Sequence, residues 1–169
     1  MDRNTRLRRV VIVCEQFTRN LAYYRAGWSG DGFKQSGDFW ITVNGNFLDI
    51  CILEWCKLLG DKKGKHDWRK IYPDHKQFKQ EMFTELKINQ TKIDQIAGSI
   101  RHLRNKFVAH LDSDEIMTIP KLDLAKETVE FYHFKVVKEC EGTTVLQGRI
   151  TDLKAYYDVS YKQAESFYS

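Results

Sequence analysis

The chain has 169 residues and a formal net charge of +4, from 27 lysines and arginines against 23 aspartates and glutamates. That length suits one domain with a real hydrophobic core, and a hydrophobic content of 42% excludes an intrinsically disordered chain. The mild positive balance permits a polyanionic partner without requiring one, and no run is apolar over the roughly 20 residues that a membrane-spanning helix needs.

In chain order, the N-terminal stretch MDRNTRLRRVVIVCEQFTRN contains an apolar run, VVIVC, that is too short for a secretory signal. Charges resume at Glu15, so a cytoplasmic protein is expected. Leu7, Val10, Cys14, Phe17, Leu21 and Tyr24 recur at spacings of three and four, the stripe of an amphipathic helix. Gly27, Gly30 and Gly32 end it. The next segment, DFWITVNGNFLDICILEWCKLL (38–59), is apolar around most of its circumference and is expected to be the central, most buried helix. Gly45 weakens it slightly. Glu54 is expected to reach the rim or to pair with a base.

The lysine-rich stretch KLLGDKKGKHDWRK (57–70) reads either as a solvated connector or as a phosphate-attracting patch. A shorter helix follows Pro73, with Phe78, Met82 and Leu86 on one side. Thr91 resembles an N-cap with Asp94 three residues on. The helix it opens carries the stripe Ile93, Ile96, Ile100, Leu103 and Phe107. Beyond Pro120, residues 123–140 place Ala125, Val129, Tyr132 and Val136 in helical register. TTVLQGR is short and reads as extended or irregular. The last segment directs Leu153, Tyr156 or Tyr157, Tyr161, Ala164 and Phe167 toward the core. The sum is an all-α bundle of five or six helices in one domain, residues 1–169. Cys14, Cys51, Cys56 and Cys140 form no CxxC pair and read as small buried hydrophobes in a reducing compartment, not as zinc ligands or disulfides.

Residues 101–114, RHLRNKFVAHLDSD, hold the candidate site. Arg104 and His110 are six residues apart, about 9 Å of rise and about 120° of rotation on an α-helix. A lone histidine at the end of an apolar stripe is more often a satisfied core residue than a reactive one. The same spacing recurs at Arg69 and His75 in RKIYPDH, but Pro73 interrupts any helix there. Ala97, Arg101, Arg104, Val108 and Leu111 share a face that mixes guanidinium groups with small and aliphatic side chains, as protein interfaces do. Glycine within a helix costs about 1 kcal/mol against alanine, so Ala97–Gly98–Ser99 suggests close approach of another backbone. That backbone belongs either to this chain or to a symmetry mate.

RNKFVAH resembles the arginine–polar–x4–histidine signature of the HEPN superfamily. RNKFVAHLD, placed after an apolar helix and a lysine-rich loop, is similar to the abortive-infection U-type branch. The resemblance implies a helical bundle, a two-fold homodimer, and a metal-independent, cofactor-free endoribonuclease of a toxin or antiphage system. Its substrate would be single-stranded RNA, with an antitoxin protein as a further partner. It implies catalytic roles for Arg104, Asn105 and His110, with Arg101 and Lys106 beside them as RNA contacts. Some family toxins carry a tyrosine two residues after the histidine, where a partner enzyme modifies them. Asp112 stands there in this chain.

The chemistry suits the residue types. Attack of a 2′-hydroxyl on the adjacent phosphorus needs proton transfer, which histidine supplies near neutral pH, and stabilisation of extra negative charge, which the arginine fork supplies. There is no HExxH, Cys/His cluster, GxGxxG or GxxxxGK[ST] to suggest a metal or nucleotide-driven reaction. The alternative is a catalytically silent helical module that binds RNA, a nucleotide or a partner protein, with His110 structural.

Overall fold

Asp2 accepts a hydrogen bond from the Thr5 backbone N–H and so caps the first helix, α1 (Arg3–Ala26). This is the central element of the molecule. Val10, Val11, Cys14, Phe17, Leu21 and Ala22 are fully shielded from solvent, and α2, α5 and α6 pack around it. The structure is a computed structural model and describes residues 1–30, 32–108 and 118–169. Among the described residues the remaining α-helices are α2 (Asp38–Trp55), α3 (His75–Leu86), α4 (Gln90–Leu103), α5 (Asp123–Glu139) and α6 (Leu153–Tyr168). The expected all-helical bundle is therefore the fold. Two strands of two residues each, β1 (Trp28–Ser29) and β2 (Gly32–Phe33), pair antiparallel after α1, where the sequence reading had only a helix end.

The expectation that residues 38–59 form the central helix is corrected. The C-terminal half of α2 is buried through Leu48, Cys51, Ile52 and Trp55, but Phe39 is 68% and Ile41 49% exposed near its start. Apolar composition around a helix does not decide which faces find neighbours. Glu54 does pair with a base: Lys57 Nζ lies 2.7 Å from its Oε1. Asn44, buried on α2, donates to the Tyr24 carbonyl oxygen at 2.9 Å. It presses so close to Gly27 that a Cβ there would collide with it, which accounts for glycine at the end of α1.

Other stripes behave as the spacing predicts. Phe78 and Met82 on α3, and Ala125, Val129, Tyr132 and Val136 on α5, are buried. In α6 the stripe ends at Tyr168, which is buried, while Phe167 is 63% exposed. The start of α4 is also corrected: Asn89, not Thr91, is the cap, accepting from the Lys92 N–H at 3.0 Å, and Thr91 lies exposed in the first turn. All four cysteines are free and buried. No described helix is long and apolar enough to cross a membrane.

Candidate functional site

Two π-helical turns meet at the candidate site. The first, Cys56–Gly60, continues α2, and the second, Arg104–Val108, continues α4. Such turns widen a helix by one residue and occur often at functional positions. The second begins at Arg104, so α-helical spacing does not relate Arg104 to position 110. His110, like Leu111 and Asp112, lies outside the described residues.

Among the described residues, Arg104 is held by three neighbours. Its Nη1 donates to Asp61 Oδ1 at 2.7 Å, and its Nε to Asn105 Oδ1 at 3.0 Å. The Cys56 thiol also lies against it. The hydrogen bond it donates to Asp61 raises the guanidinium pKa further. Burial pushes the Cys56 thiol up to about 11, against the pull of Arg104. Asn105, for which the resemblance implies a catalytic role, orients the Arg104 side chain through this hydrogen bond. The Arg104 side chain is 22% and that of Asp61 43% exposed, so a dissolved anion can reach the pair. A surface ion pair of this kind is worth about 0–1 kcal/mol, little enough for a phosphate to compete.

Asp61 opens the lysine-rich loop, so this ion pair ties the candidate site to it. Along the loop, the ring of His66 is held below its ordinary pKa by burial first, then by the charges of Arg9, Lys57, Arg6 and Lys65. Four cations from α1, the first π-turn and the loop therefore act on one point. Arg101 is exposed one turn before Arg104, and Lys106 is half-buried in the π-turn.

Beside Arg104, a cavity of about 400 Å³ opens between the first π-turn, the loop, α3 and α4. Arg101 lines it, and so do Arg69 and His75, the pair that shares the Arg104–His110 spacing. His75 Nε2 is 3.1 Å from the Arg69 carbonyl oxygen, across the turn that holds Pro73. The fully buried Asp67 grips the Arg69 guanidinium with both oxygens, at 2.8 and 2.6 Å. The sequence reading missed Asp67; an acid two residues before an arginine is the only local signal it offers. A larger cleft of about 660 Å³ lies between α5 and the start of α6, but Glu85, Glu127, Glu130 and Asp152 line it and would repel a phosphate.

On the proposed interface face, Gly98 and Ser99 are exposed and nothing lies within 4 Å of a Cβ built on Gly98. Among the described residues no helix crosses there, so none of them accounts for that glycine. Ala97 instead lines the cavity. Among the described residues, no group of three or more His, Cys, Asp or Glu is placed to hold a metal ion. Comparison with family models, with curated proteins and with solved structures returns no match for the chain.

Proposed function

We propose that this chain is a metal-independent endoribonuclease of a toxin or antiphage system, acting on single-stranded RNA as a HEPN-like homodimer. The supporting observation is Arg104. Its guanidinium is fixed by Asp61 and Asn105, open to solvent, and placed where the cationic loop meets α4. A scissile phosphate would displace Asp61 and take the fork, with little side-chain reorganisation left to make.

The reaction is attack of the 2′-hydroxyl on the adjacent phosphorus. The new P–O bond forms the 2′,3′-cyclic phosphate, the P–O5′ bond breaks, and the 5′-oxygen leaves with a proton. His110 moves the proton and Arg104 holds the charge that builds on the phosphorane. Two proton transfers call for two histidines, which a two-fold pairing of α4 would bring together. The open side of Gly98 leaves room for that approach.

A second reading also has an observation in its favour. Arg104 is already satisfied inside the chain by Asp61 and Asn105, as in a structural arginine. Then the protein would bind RNA or a partner without cutting.

Incubation of purified protein with single-stranded RNA separates the two. The parent leaves 2′,3′-cyclic phosphate ends, unaffected by EDTA and weakened by salt. His110→Ala abolishes cleavage, and Arg104→Lys, which supplies charge without the fork, loses about a hundredfold or more. Cleavage by His110→Ala at the parental rate would hand the site to the binding reading.

A further inference from the structure

The cavity beside Arg104 has two chemically distinct parts. Its apolar part is built from Met82, Phe83, Ile93 and Ala97, together with the buried Trp55. Its rim carries Lys62, Arg69, Lys79 and Arg101, against a single acidic side chain, Asp94, among its described lining residues. The four cations are not equivalent. Arg69 is neutralised and fixed by Asp67. Lys79 donates to Gln90 Oε1 at 3.0 Å, and the Gln90 amide donates onward to Asp94 at 2.9 Å. Lys62 and Arg101 form no ion pair among the described residues, and both are exposed. Both line the cavity where it meets solvent, and each is close in sequence to one member of the Asp61–Arg104 pair.

An apolar part beside a cationic rim matches a flat, weakly polar ring joined to a phosphate. Arg101 and Arg104 are one helical step apart, about 4.5 Å of rise at 1.5 Å per residue. A strand with one phosphate on Arg104 thus has its neighbouring nucleotide at the cavity mouth. The volume falls within the range of small-ligand pockets. Sequence-specific recognition of RNA commonly unstacks a base and seats it against protein.

We propose that this cavity is a base-reading subsite. It takes one unstacked nucleotide of single-stranded RNA, with the base on the apolar Phe83, Ile93 and Ala97 and its phosphate between Lys62 and Arg101. The Asp94 carboxylate and the Gln90 amide at the rim supply an acceptor and a donor for the base edge. The subsite rests on RNA being the ligand of the proposed site, and it does not rest on cleavage. It also changes what Arg69 and His75 stand for: they belong to a wall that sorts the strand, apart from the reacting atoms.

The test uses an oligonucleotide with 2′-O-methyl sugars, which cannot undergo the cyclisation, and an abasic strand of equal length. Binding is measured by fluorescence anisotropy on the full chain. The parent binds the base-bearing strand at least about tenfold more tightly than the abasic one, the scale of one base held on an apolar and aromatic surface. Ile93→Trp fills the apolar part. It lowers base-bearing affinity to the abasic level and leaves abasic affinity unchanged. Lys62→Glu weakens both strands. Circular dichroism of each variant shows that the fold is kept. Equal binding of the two strands by the parent overturns the subsite, as does parental base-bearing affinity in folded Ile93→Trp. Binding of free nucleoside monophosphates without any binding of the strands overturns it too, and assigns the cavity to a small molecule. If base-dependent binding is found and native RNA is left uncut, the nuclease reading falls and the subsite stands.

Discussion

His133 on α5 is only 2% exposed, with its Nε2 2.9 Å from the Ile150 carbonyl oxygen. Burial drives its pKa down to about 4, more than the carbonyl and Asp152 restore. The folded protein therefore holds a neutral ring where the unfolded chain, with an ordinary value of 6.5, accepts a proton. Above pH 6.5 both states are neutral and the full stability is present. As the pH falls the unfolded state gains a proton that the folded state refuses, so stability drops, levelling off near pH 4 where both are charged. The loss from this group is about 3 kcal/mol. Denaturant titrations at pH 7.5 and pH 4.5 check it: His133→Gln, which keeps a donor for Ile150, has a distinctly smaller difference between the two. Residue-scale features of this kind were unevenly legible. Arg104 and Asn105 stand out as a motif, but the partner that fixes Arg104, Asp61, is 43 residues away in sequence. Asp67 is invisible for a related reason: an aspartate in a lysine-rich loop reads as solvated until the fold buries it.

At the scale of elements, periodicity located the helices and misjudged one. Five of the six stripe residues of α1, Leu7, Val10, Cys14, Phe17 and Leu21, are buried as the 3.6-residue repeat predicts, and Val11, Ala22 and Ala26 are buried beyond the stripe because helices pack on several sides of α1. In α2 the apolar residues run all the way round, so the pattern gives no face, and only packing against α1 decides. The consequence is measurable. Phe17→Ala, in the fully buried stripe of α1, costs about 3–5 kcal/mol in denaturant unfolding. Phe39→Ala, on the exposed start of α2, changes stability by no more than about 0.5 kcal/mol. Similar losses from both would restore α2 as the centre. The two π-turns had no sequence signal, since an apolar stripe does not report whether one residue is added to a turn. The cap of α4 was ambiguous for a simpler reason. Asn89 and Thr91 are both good caps, and the choice falls to the one whose oxygen reaches the Lys92 N–H.

For the whole molecule, the class and the number of helices followed from composition and spacing, while the arrangement around α1 did not. The proposed two-fold assembly can be separated from folding at one position. A Cβ at Gly98 meets open space among the described residues, so Gly98→Leu is expected to fit on the exposed face of α4 and to gain about 1 kcal/mol of helix propensity. A homodimer built on α4 is blocked by the same side chain. The expected outcome is a variant that melts at or above the parental temperature yet shows the mass of a monomer in light scattering, where the parent shows a dimer. A parent that is monomeric at high micromolar concentration removes the assembly from the proposal.

The four buried thiols give the chain a built-in clock. Cys14 and Cys51 are fully shielded, at the centre of α1 and in the buried half of α2, whereas Cys140 is 6% exposed just past the end of α5. Burial also raises their pKa values, so in the native state few are in the thiolate form that alkylating reagents attack. A pulse of iodoacetamide in native buffer should therefore mark molecules according to how often each region opens. Cys140 should label first, through fraying of α5. Cys14 and Cys51 should label together and later, at the rate of global opening. Peptide mass spectrometry would then read local and global stability from one sample, without introducing a probe.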